Sequence, residues 1–400
     1  MAPANPAPAE APWSSSGAQT RRPGAFDGDG LDATEEAEYL TRQLITCIGN
    51  KRFLAGHLRR AVAKIRDEVG GRPLTAVDLF SGSGLVARIM KCDASLVIAN
   101  DLERYSEVVN TCYLANRSDA DLGLVRKWVD DLNKEAAAGA NPGGFIQRQY
   151  APADDHAIQP GERVFYTADN ARRLDFYAQA IPVAPDHIRP FLYGPLLSSA
   201  SVHANTAGVF KGFYKDKTTG VGKFGAAQGD ALARILAPIT LDVPVLSPRA
   251  TRSRVLRRDA NALARNLPRV DVAYIDPPYN QHPYGSNYFM LNLLVDYQEP
   301  TATSRVSGIP AGWNRSRYNV RKDSLPQLRD LLDHIDAAYL LVSFNAEGFI
   351  PIGDLRSTLE EFGAVEEAVI PYNAFRGSRN LRRRGIHVDE HLFVVRRHKA

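Results

Sequence analysis

Four consecutive residues, Asp276-Pro277-Pro278-Tyr279, combine a carboxylate, two prolines and an aromatic ring. They follow an apolar run that ends at Ile275 and is typical of a buried strand. Each proline fixes φ and lacks an amide hydrogen, so no helix can start within the turn. The turn is therefore rigid. It presents a carboxylate, a bare carbonyl and an aromatic face beyond the carboxyl end of the strand, where α/β proteins bind ligands.

This set of groups suits a planar base that carries an exocyclic amine. Asp276 and the carbonyl of Pro277 can accept the two N–H bonds of such an amine, and the ring of Tyr279 can stack on the base. The alternative is an ordinary Pro-Pro turn with no chemical role. A four-residue string of this kind is specific enough to favour the functional interpretation.

A second turn, Ser81-Gly82-Ser83-Gly84, lies between an apolar run and a helical pattern. Glycine lets the backbone approach a ligand closely, and the following helix presents its positive N-terminal end. Asp101 ends the next predicted strand, seventeen residues after Gly84, where a carboxylate can accept hydrogen bonds from both ribose hydroxyls. The pattern predicts an adenosine-type cofactor without deciding which one, because Gly82-x-Gly84-x-x-Ala87 also satisfies the dinucleotide fingerprint.

Seven strands must position these turns, and helical patterns separate most of them. We predict strands at residues 74–80, 95–99, around 255, and at 272–275, 339–344, 365–370 and 392–395. This alternation indicates an α/β fold with a doubly wound, mostly parallel sheet. The last two strands have no clear helix between them, which predicts an antiparallel final pair.

A helix-rich stretch at residues 117–250 interrupts the alternation and is punctuated by proline and glycine. We predict that it is an inserted, mainly helical domain, and that residues 31–116 and 251–400 together form the α/β domain that carries both turns. Residues 1–30 are dominated by Ala, Pro, Ser and Gly, a composition that predicts a disordered tail.

Composition excludes several classes of protein. No run reaches the roughly 18 apolar residues of a membrane helix, and no apolar signal core is found near the start, which predicts a cytoplasmic protein with no membrane partner. The three cysteines form no Cys-x-x-Cys pair, so no metal site is predicted. The formal net charge of +4 permits binding to nucleic acid without requiring it.

Together these motifs resemble the Dam-like (class alpha) group of DNA adenine-N6 methyltransferases, which depend on S-adenosylmethionine. The resemblance covers roughly residues 36–398. Asp276-Pro277-Pro278-Tyr279 is similar to the catalytic motif of this family, and Phe80-Ser81-Gly82-Ser83-Gly84 to its Phe-x-Gly-x-Gly motif around the methionine part of the cofactor. The resemblance implies a seven-stranded Rossmann-like methyltransferase sheet. It also implies that residues 31–116 and 251–400 form the catalytic domain and that residues 117–250 form an inserted target-recognition domain.

The resemblance also implies roles for individual residues. Lys51, in the segment at 48–52, is similar to a family lysine that reaches toward the cofactor and the target, and Asp259 stands where the family has an aspartate for the adenine amine of the cofactor. Two positions depart from the family pattern, since Cys47 and Ala260 stand where aromatic residues are common. The implied catalytic residues are Asp276, Pro277, Pro278 and Tyr279, and the implied cofactor-binding residues are Lys51, Asp78, Phe80, Gly82, Gly84, Asp101, Asp259 and Asp276.

Three stretches have the composition of a DNA-contacting surface. Aromatic residues alternate with lysines at 205–224, a pattern that suits phosphate contact and stacking, although a small core with a solvated rim is the alternative. A polar and aromatic segment at 280–289 follows the catalytic motif, and a basic run lies at 376–384. The predicted DNA-binding residues are Lys211, Lys215, Lys217, His282, Asn287, Tyr288, Arg376, Arg379 and Arg382.

We therefore predict site-specific methylation of adenine N6 in double-stranded DNA, with the target base flipped out of the duplex. The expected setting is the nucleoid of a cell with a restriction–modification or related defence system, with a restriction endonuclease acting on the same site as a possible partner. Three alternatives stay open at this point. They are a cytosine-N4 methyltransferase, whose motif typically begins with Ser rather than Asp, an NAD-dependent oxidoreductase that uses the glycine turn, and a catalytically silent DNA-binding subunit.

Overall fold

A seven-stranded sheet forms the centre of the computed structural model, which describes residues 33–46, 51–226, 231–373 and 387–398. The strands are β1 (Leu74–Asp78), β2 (Ala94–Asp101), β3 (Arg252–Arg257), β4 (Val270–Ile275), β5 (Ala337–Asn345), β6 (Gly363–Asn373) and β7 (His387–Arg397). Their order is β3-β2-β1-β4-β5-β7-β6. The first five are parallel, and β7 runs antiparallel to both of its neighbours. The mostly parallel sheet and its antiparallel final pair are thus confirmed.

Helices cover the sheet and also occur throughout the long insert. They are α1 (Ala33–Thr41), α2 (Ala55–Glu68), α3 (Leu85–Lys91), α4 (Arg104–Tyr113), α5 (Leu122–Ala137), α6 (Phe145–Tyr150), α7 (Ala168–Ala180), α8 (Arg189–Val202), α9 (Leu232–Leu236), α10 (Ala260–Ala264), α11 (Tyr284–Asn287), α12 (Phe289–Asp296), α13 (Arg321–His334) and α14 (Ile352–Glu360). Short 3-10 helices occur at Lys51–Leu54, Arg117–Asp119, Ile181–Val183 and Arg317–Asn319.

The central strands β1, β4 and β5 are buried on both faces, which is why they read as almost continuous apolar runs. Successive residues of a strand face opposite sides. In β1, Ala76 packs in the cluster that contains α2 and α3, whereas Val77 packs in the cluster that contains α10, α13 and α14. The two helical layers leave the carboxyl edge of the parallel strands to the loops, and the predicted site residues follow those strand ends.

The insert packs directly on the catalytic half of the chain. Its helices α5 to α8 share one apolar cluster with α4 and α12. The contact between α4 and α8 is close, because a Cβ added at Gly194 would lie 2.7 Å from the sulfur of Cys112. Within the described part of residues 117–250, the regular secondary structure consists of helices α5 to α9 and two short 3-10 helices, and no strand of the sheet lies there. The predicted tail at residues 1–30 lies outside the described residues, and within the described residues no helix is long and apolar enough to cross a membrane.

Candidate active site

The Asp-Pro-Pro-Tyr turn lies directly after β4, at the carboxyl edge of the sheet. The side chain of Asp276 is 17% exposed, and the two prolines that follow it are buried. The ring of Tyr279 packs edge-on against Phe344 of β5, with 6.4 Å between ring centroids. Its carbonyl accepts a hydrogen bond of 2.9 Å from the amide of Phe349. The neighbouring strand and its loop therefore hold the turn in place.

The glycine-rich turn after β1 needs glycine for its backbone conformation. Gly82 and Gly84 have φ angles of +51° and +79°, in the left-handed region. A Cβ at Gly84 would also lie 2.5 Å from the side-chain oxygen of Asn110. The carboxylate of Asp101 accepts hydrogen bonds from the amides of Gly82, at 2.7 Å, and Glu103, at 2.9 Å. Asp101 thus ties the glycine turn to the end of β2.

One cavity collects nearly all of the predicted cofactor-binding residues. Its lining includes Lys51, Asp78, Phe80, Gly82, Asp101, Asp259 and Asp276, while Gly84 shapes the turn beside it. The cavity measures about 1040 Å³ with its open mouth included.

The cavity is rich in carboxylates. Asp78, Asp101, Glu103, Asp259 and Asp276 line it, against two cations, Lys51 and Arg258. Burial raises the pKa of Asp78 to about 8, and the nearby carboxylate of Asp276 adds to the effect. Burial likewise raises the pKa of Glu103 to about 7. Among the described residues, the second carboxylate oxygen of Asp78 has no hydrogen-bond partner. A ligand that carries positive charge or N–H groups would satisfy it.

Lys51 bridges the catalytic turn and the last strand of the sheet. Its ammonium lies 3.0 Å from Oδ1 of Asp276 and 2.5 Å from Oε1 of Glu390. The side chains of Ser343 and Asn345 donate hydrogen bonds to Glu390, at 2.8 and 3.3 Å. The last strand therefore fixes the ammonium beside the carboxylate of Asp276.

The pKa values of this pair follow from burial and charge. Burial by itself would lower the pKa of Lys51, but the carboxylates of Asp276 and Glu390 raise it well above its usual value. Burial raises the pKa of Asp276 to about 6, although Lys51 acts in the opposite direction. Asp276 is therefore mostly ionised at neutral pH, when it can accept hydrogen bonds on both oxygens.

Sequence reasoning missed one wall of the cavity, the segment between α12 and α13. Asn314, Ser316, Tyr318 and Asn319 from this segment line the cavity. The ring of Tyr318 meets Phe80 edge-on at 5.4 Å, and its hydroxyl donates a hydrogen bond to Asn261. The side chain of Asn319 donates a 2.7 Å hydrogen bond to the carbonyl of Asn280, which follows Tyr279. The polar run at 314–319 is the signal in the sequence that marks this segment.

The predicted DNA-contacting lysines lie on the insert, and one of them reaches the catalytic half. The ammonium of Lys211 lies 3.3 Å from Nδ1 of His282, in the loop after the catalytic turn. Lys215 and Lys217 are exposed on a short hairpin in which Lys215 pairs with Gly222. Arg376, Arg379 and Arg382 fall outside the described residues.

The prediction that Asn287 and Tyr288 contact DNA is wrong, because both residues are buried. Tyr288 is fully buried, where its ring stacks on Tyr284 at 5.9 Å and meets Tyr105 edge-on. Asn287 is 7% exposed, and its carbonyl accepts a 2.7 Å hydrogen bond from the amide of Phe210. Both lie where α11 gives way to α12, which packs into the apolar cluster of the insert.

Residues 48–334 match the model of the D12 class N6 adenine-specific DNA methyltransferases. The chain belongs to this family. It is 28% identical over 342 residues to the type II methyltransferase M.NlaIII of Neisseria lactamica, a match that covers 83% of this chain and 92% of that protein. It is 27% identical over 354 residues to the type II methyltransferase M.CviAII of Paramecium bursaria Chlorella virus 1, covering 87% and 97% of the two chains.

A third relative of this D12 class enzyme is the modification methylase StsI of Streptococcus sanguinis. The two are 26% identical over 375 residues, which covers 88% of this chain and 51% of that methylase. Membership of the family confirms the expected class of enzyme, an adenine-specific DNA methyltransferase. Membership of the family therefore decides against the three alternatives that the sequence left open, which were an NAD-dependent oxidoreductase, a cytosine-N4 methyltransferase and a catalytically silent DNA-binding subunit.

Proposed function

We propose that this D12 class enzyme transfers the methyl group of S-adenosylmethionine to N6 of adenine at specific sites in duplex DNA. One observation carries the proposal. Asp276 of the catalytic turn and the glycine-rich turn with Asp101 line the same cavity, so a donor and an exocyclic amine can meet there. Methyl transfer to an amine needs two sites side by side. One is an adenosine-type pocket that binds the methyl donor, and the other is a pair of hydrogen-bond acceptors for the two N–H bonds of the amine.

The residues of the cavity suit S-adenosylmethionine in charge and in shape. Asp101 is placed to accept hydrogen bonds from the ribose hydroxyls. Asp259 uses one carboxylate oxygen to cap α10, at 3.0 Å from the amide of Ala262, which leaves the other for the adenine amine of the cofactor. The unpartnered oxygen of Asp78 suits the positively charged methionine end.

The chemistry needs alignment more than a covalent intermediate. When bound, S-adenosylmethionine supplies an electrophilic methyl group on a sulfonium. Asp276 and the carbonyl of Pro277 accept the N–H bonds of the target amine, which frees a nitrogen lone pair that is otherwise delocalised into the ring. The Asp276 carboxylate also stabilises the positive charge that develops on N6, in a pocket that excludes most water. Tyr279 stacks on the flipped base and offsets part of the cost of unstacking it.

The surroundings of the site support duplex DNA as the substrate. Lys211, Lys215, Lys217 and His282 contact its phosphates in this proposal, and Arg376, Arg379 and Arg382, which lie between β6 and β7 in the sequence, add further contacts. Relatives are named as modification methylases. We therefore place the enzyme at the nucleoid, in a restriction–modification or related defence system, with a restriction endonuclease that acts on the same site.

Replacing Asp101 with alanine should weaken cofactor binding by about 1–3 kcal/mol, the range for hydrogen bonds to a charged acceptor. Isothermal titration calorimetry with S-adenosylhomocysteine measures this change. The matched control is Asp354→Ala, an exposed carboxylate on α14, which should bind as the wild type does. Tight binding of NAD by the wild type, or equal S-adenosylhomocysteine affinity for both variants, would overturn the cofactor assignment.

Replacing Lys211, Lys215 and Lys217 together with alanine should weaken binding to duplexes of any sequence. Each lost phosphate contact lowers the slope of log affinity against log salt by about 0.9. Fluorescence anisotropy at several salt concentrations measures the slope, and S-adenosylhomocysteine affinity should not change. Replacing Lys127 and Lys134, two exposed lysines of α5, serves as the control. An unchanged slope in the triple variant would show that these lysines do not follow the DNA backbone.

A further inference from the structure

A groove lies next to the cofactor cavity, on the other side of the segment at residues 313–319, which we call the divider. Ser316 and Asn319 of the divider line both the groove and the cavity. The groove measures about 1240 Å³ with its open side included, and Gln281 and Pro283 from the loop after the catalytic turn also line it. The groove is therefore immediately beside the place where the target base must enter.

The divider presents different residues to its two sides. Asn314 and Tyr318 line the cavity, whereas Trp313 and Arg315 line the groove. The lining thus alternates between the two sides from residue 313 to residue 315.

Close packing fixes the divider against the catalytic half. A Cβ added at Gly285 of α11 would lie 2.8 Å from the carbonyl oxygen of Asn314 and 2.9 Å from its nitrogen. The side chain of Asn319 is hydrogen-bonded to the carbonyl of Asn280. Trp313 and Arg315 are thus held at a set position relative to the catalytic turn.

The groove and the cavity differ in the charge of the residues that line them. Among the described residues that line the groove there are two cations, Lys211 and Arg315, and no carboxylate, whereas five carboxylates line the cavity. The guanidinium of Arg315 lies over the indole of Trp313, 4.1 Å from the ring centroid. Arg315 is exposed, and within the part of the chain that the structure describes no carboxylate pairs with it.

We propose that Trp313 and Arg315 form a DNA-contact site that holds the target strand beside the flipped adenine. Trp313 stacks on an unstacked neighbouring base, and Arg315 binds a phosphate of the same strand. An aromatic ring next to a cation is the combination that binds single-stranded segments of nucleic acid. The inference rests on the proposed function, and it names the residues of this chain that hold the distorted strand.

Single variants at the two positions test the proposal by different readouts. Duplex binding is measured by fluorescence anisotropy with saturating S-adenosylhomocysteine, at several salt concentrations. Arg315→Ala should lower the slope of log affinity against log salt by about 0.9, and Arg315→Lys should keep it. Trp313→Ala should weaken binding by about 5- to 150-fold, the range of one lost base stack, with the salt slope unchanged, and Trp313→Phe should keep most of the affinity.

The matched control is Arg317→Ala. Arg317 is exposed on the same divider, lies 3.8 Å from Asp323 and lines neither the groove nor the cavity. Its replacement should leave DNA affinity, salt slope and S-adenosylhomocysteine affinity as in the wild type. The variants at 313 and 315 should also raise the KM for DNA while their S-adenosylhomocysteine affinity stays within about twofold of the wild type.

Three outcomes would overturn the proposal. Wild-type affinity and slope in both alanine variants would mean that the DNA does not enter the groove. Loss of S-adenosylhomocysteine binding in both would mean that the divider acts only as a wall of the cavity. If the wild type itself neither binds nor methylates duplex DNA, the proposed function fails first. If the wild type methylates DNA and the variants bind DNA as the wild type does, only the proposed DNA-contact site at Trp313 and Arg315 is overturned.

Discussion

Asp276→Ala should lower the rate of methyl transfer by about a thousandfold or more and leave the fold intact. Removing a single hydrogen bond that is aligned to developing charge typically costs about a hundred- to a thousandfold in turnover. In the proposed mechanism Asp276 acts on the reacting nitrogen in two ways, because it accepts an N–H bond and faces the developing positive charge. The fold should survive because Asp276 follows β4 at the edge of the sheet and belongs to none of the apolar clusters.

The rate is measured by transfer of a labelled methyl group to duplex DNA. Circular dichroism and thermal melting test the fold of the variant, and S-adenosylhomocysteine binding tests whether the cavity is preserved. Asp354→Ala on α14 is again the matched control and should turn over as the wild type does. Near-normal turnover by Asp276→Ala on its own DNA site would contradict the proposed mechanism.

Lys51→Met should destabilise the protein by about 3–5 kcal/mol near neutral pH, because it leaves buried carboxylates without their cation. The side chain of Lys51 is 8% exposed, and its ammonium contacts both Asp276 and Glu390. Methionine keeps most of the apolar stem, so the loss reports mainly on charge. Thermal and urea unfolding measure the difference.

The destabilisation should depend on pH in a defined direction. In the wild type, burial already raises the pKa of Asp276 from 3.8 to about 6. Loss of the ammonium raises it further, so the folded variant binds more protons than the unfolded chain over a wider range of pH. Stability of the variant should therefore fall as pH rises from about 4 through this raised value. The gap between variant and wild type should be smallest near pH 5 and largest above pH 7.

Catalysis should respond to the same ionisation. The proposed mechanism uses the carboxylate form of Asp276, so kcat/KM of the wild type should fall below about pH 6. In Lys51→Met the fall should begin at a higher pH. The pH profile separates an electrostatic role of Lys51 from a merely structural one, which would lower activity equally at every pH.

A double variant and a surface lysine serve as controls for the Lys51 prediction. Glu390→Gln removes one of the two carboxylates, so adding it to Lys51→Met should restore part of the lost stability. Lys64→Met removes an exposed lysine that pairs with Glu366, and it should change stability by less than about 1 kcal/mol. Equal melting temperatures for Lys51→Met and the wild type at pH 8, with identical pH profiles, would contradict the prediction.

The sheet and the turns were predictable because their signals are local. Apolar runs mark the strands. The two prolines and the glycines at 82 and 84 are residue types that indicate a turn directly. The carboxyl ends of parallel strands share one edge, so the order of the motifs along the chain was enough to assign Asp101 and Asp276 to one site. The contact of Lys51 with Glu390 joins residues 339 positions apart. Sequence similarity named the lysine, but no local pattern joins the pair.

The errors have physical causes too. The segment at 280–289 looked like one polar and aromatic loop, but Tyr288 lies beside the apolar helix α12 and is buried with it. In the insert, Phe210 is in the core while Lys215 and Lys217 are exposed, so the aromatic residues and the lysines of that stretch have different environments. The position of the divider beside the cavity was not predicted from the sequence. It depends on packing of the divider against Gly285, a contact that local sequence periodicity does not encode.

In the proposed mechanism the Asp276 turn directs a methyl group to N6 of adenine. The most direct test incubates the wild-type enzyme with S-adenosylmethionine and duplex DNA that lacks methylation, digests the DNA to nucleosides and identifies the methylated product by mass spectrometry. N6-methyl-deoxyadenosine should form with the wild type and disappear with Asp276→Ala. Methylated cytosine as the product, or N6-methyl-deoxyadenosine formed equally well by Asp276→Ala, would contradict this role of the turn.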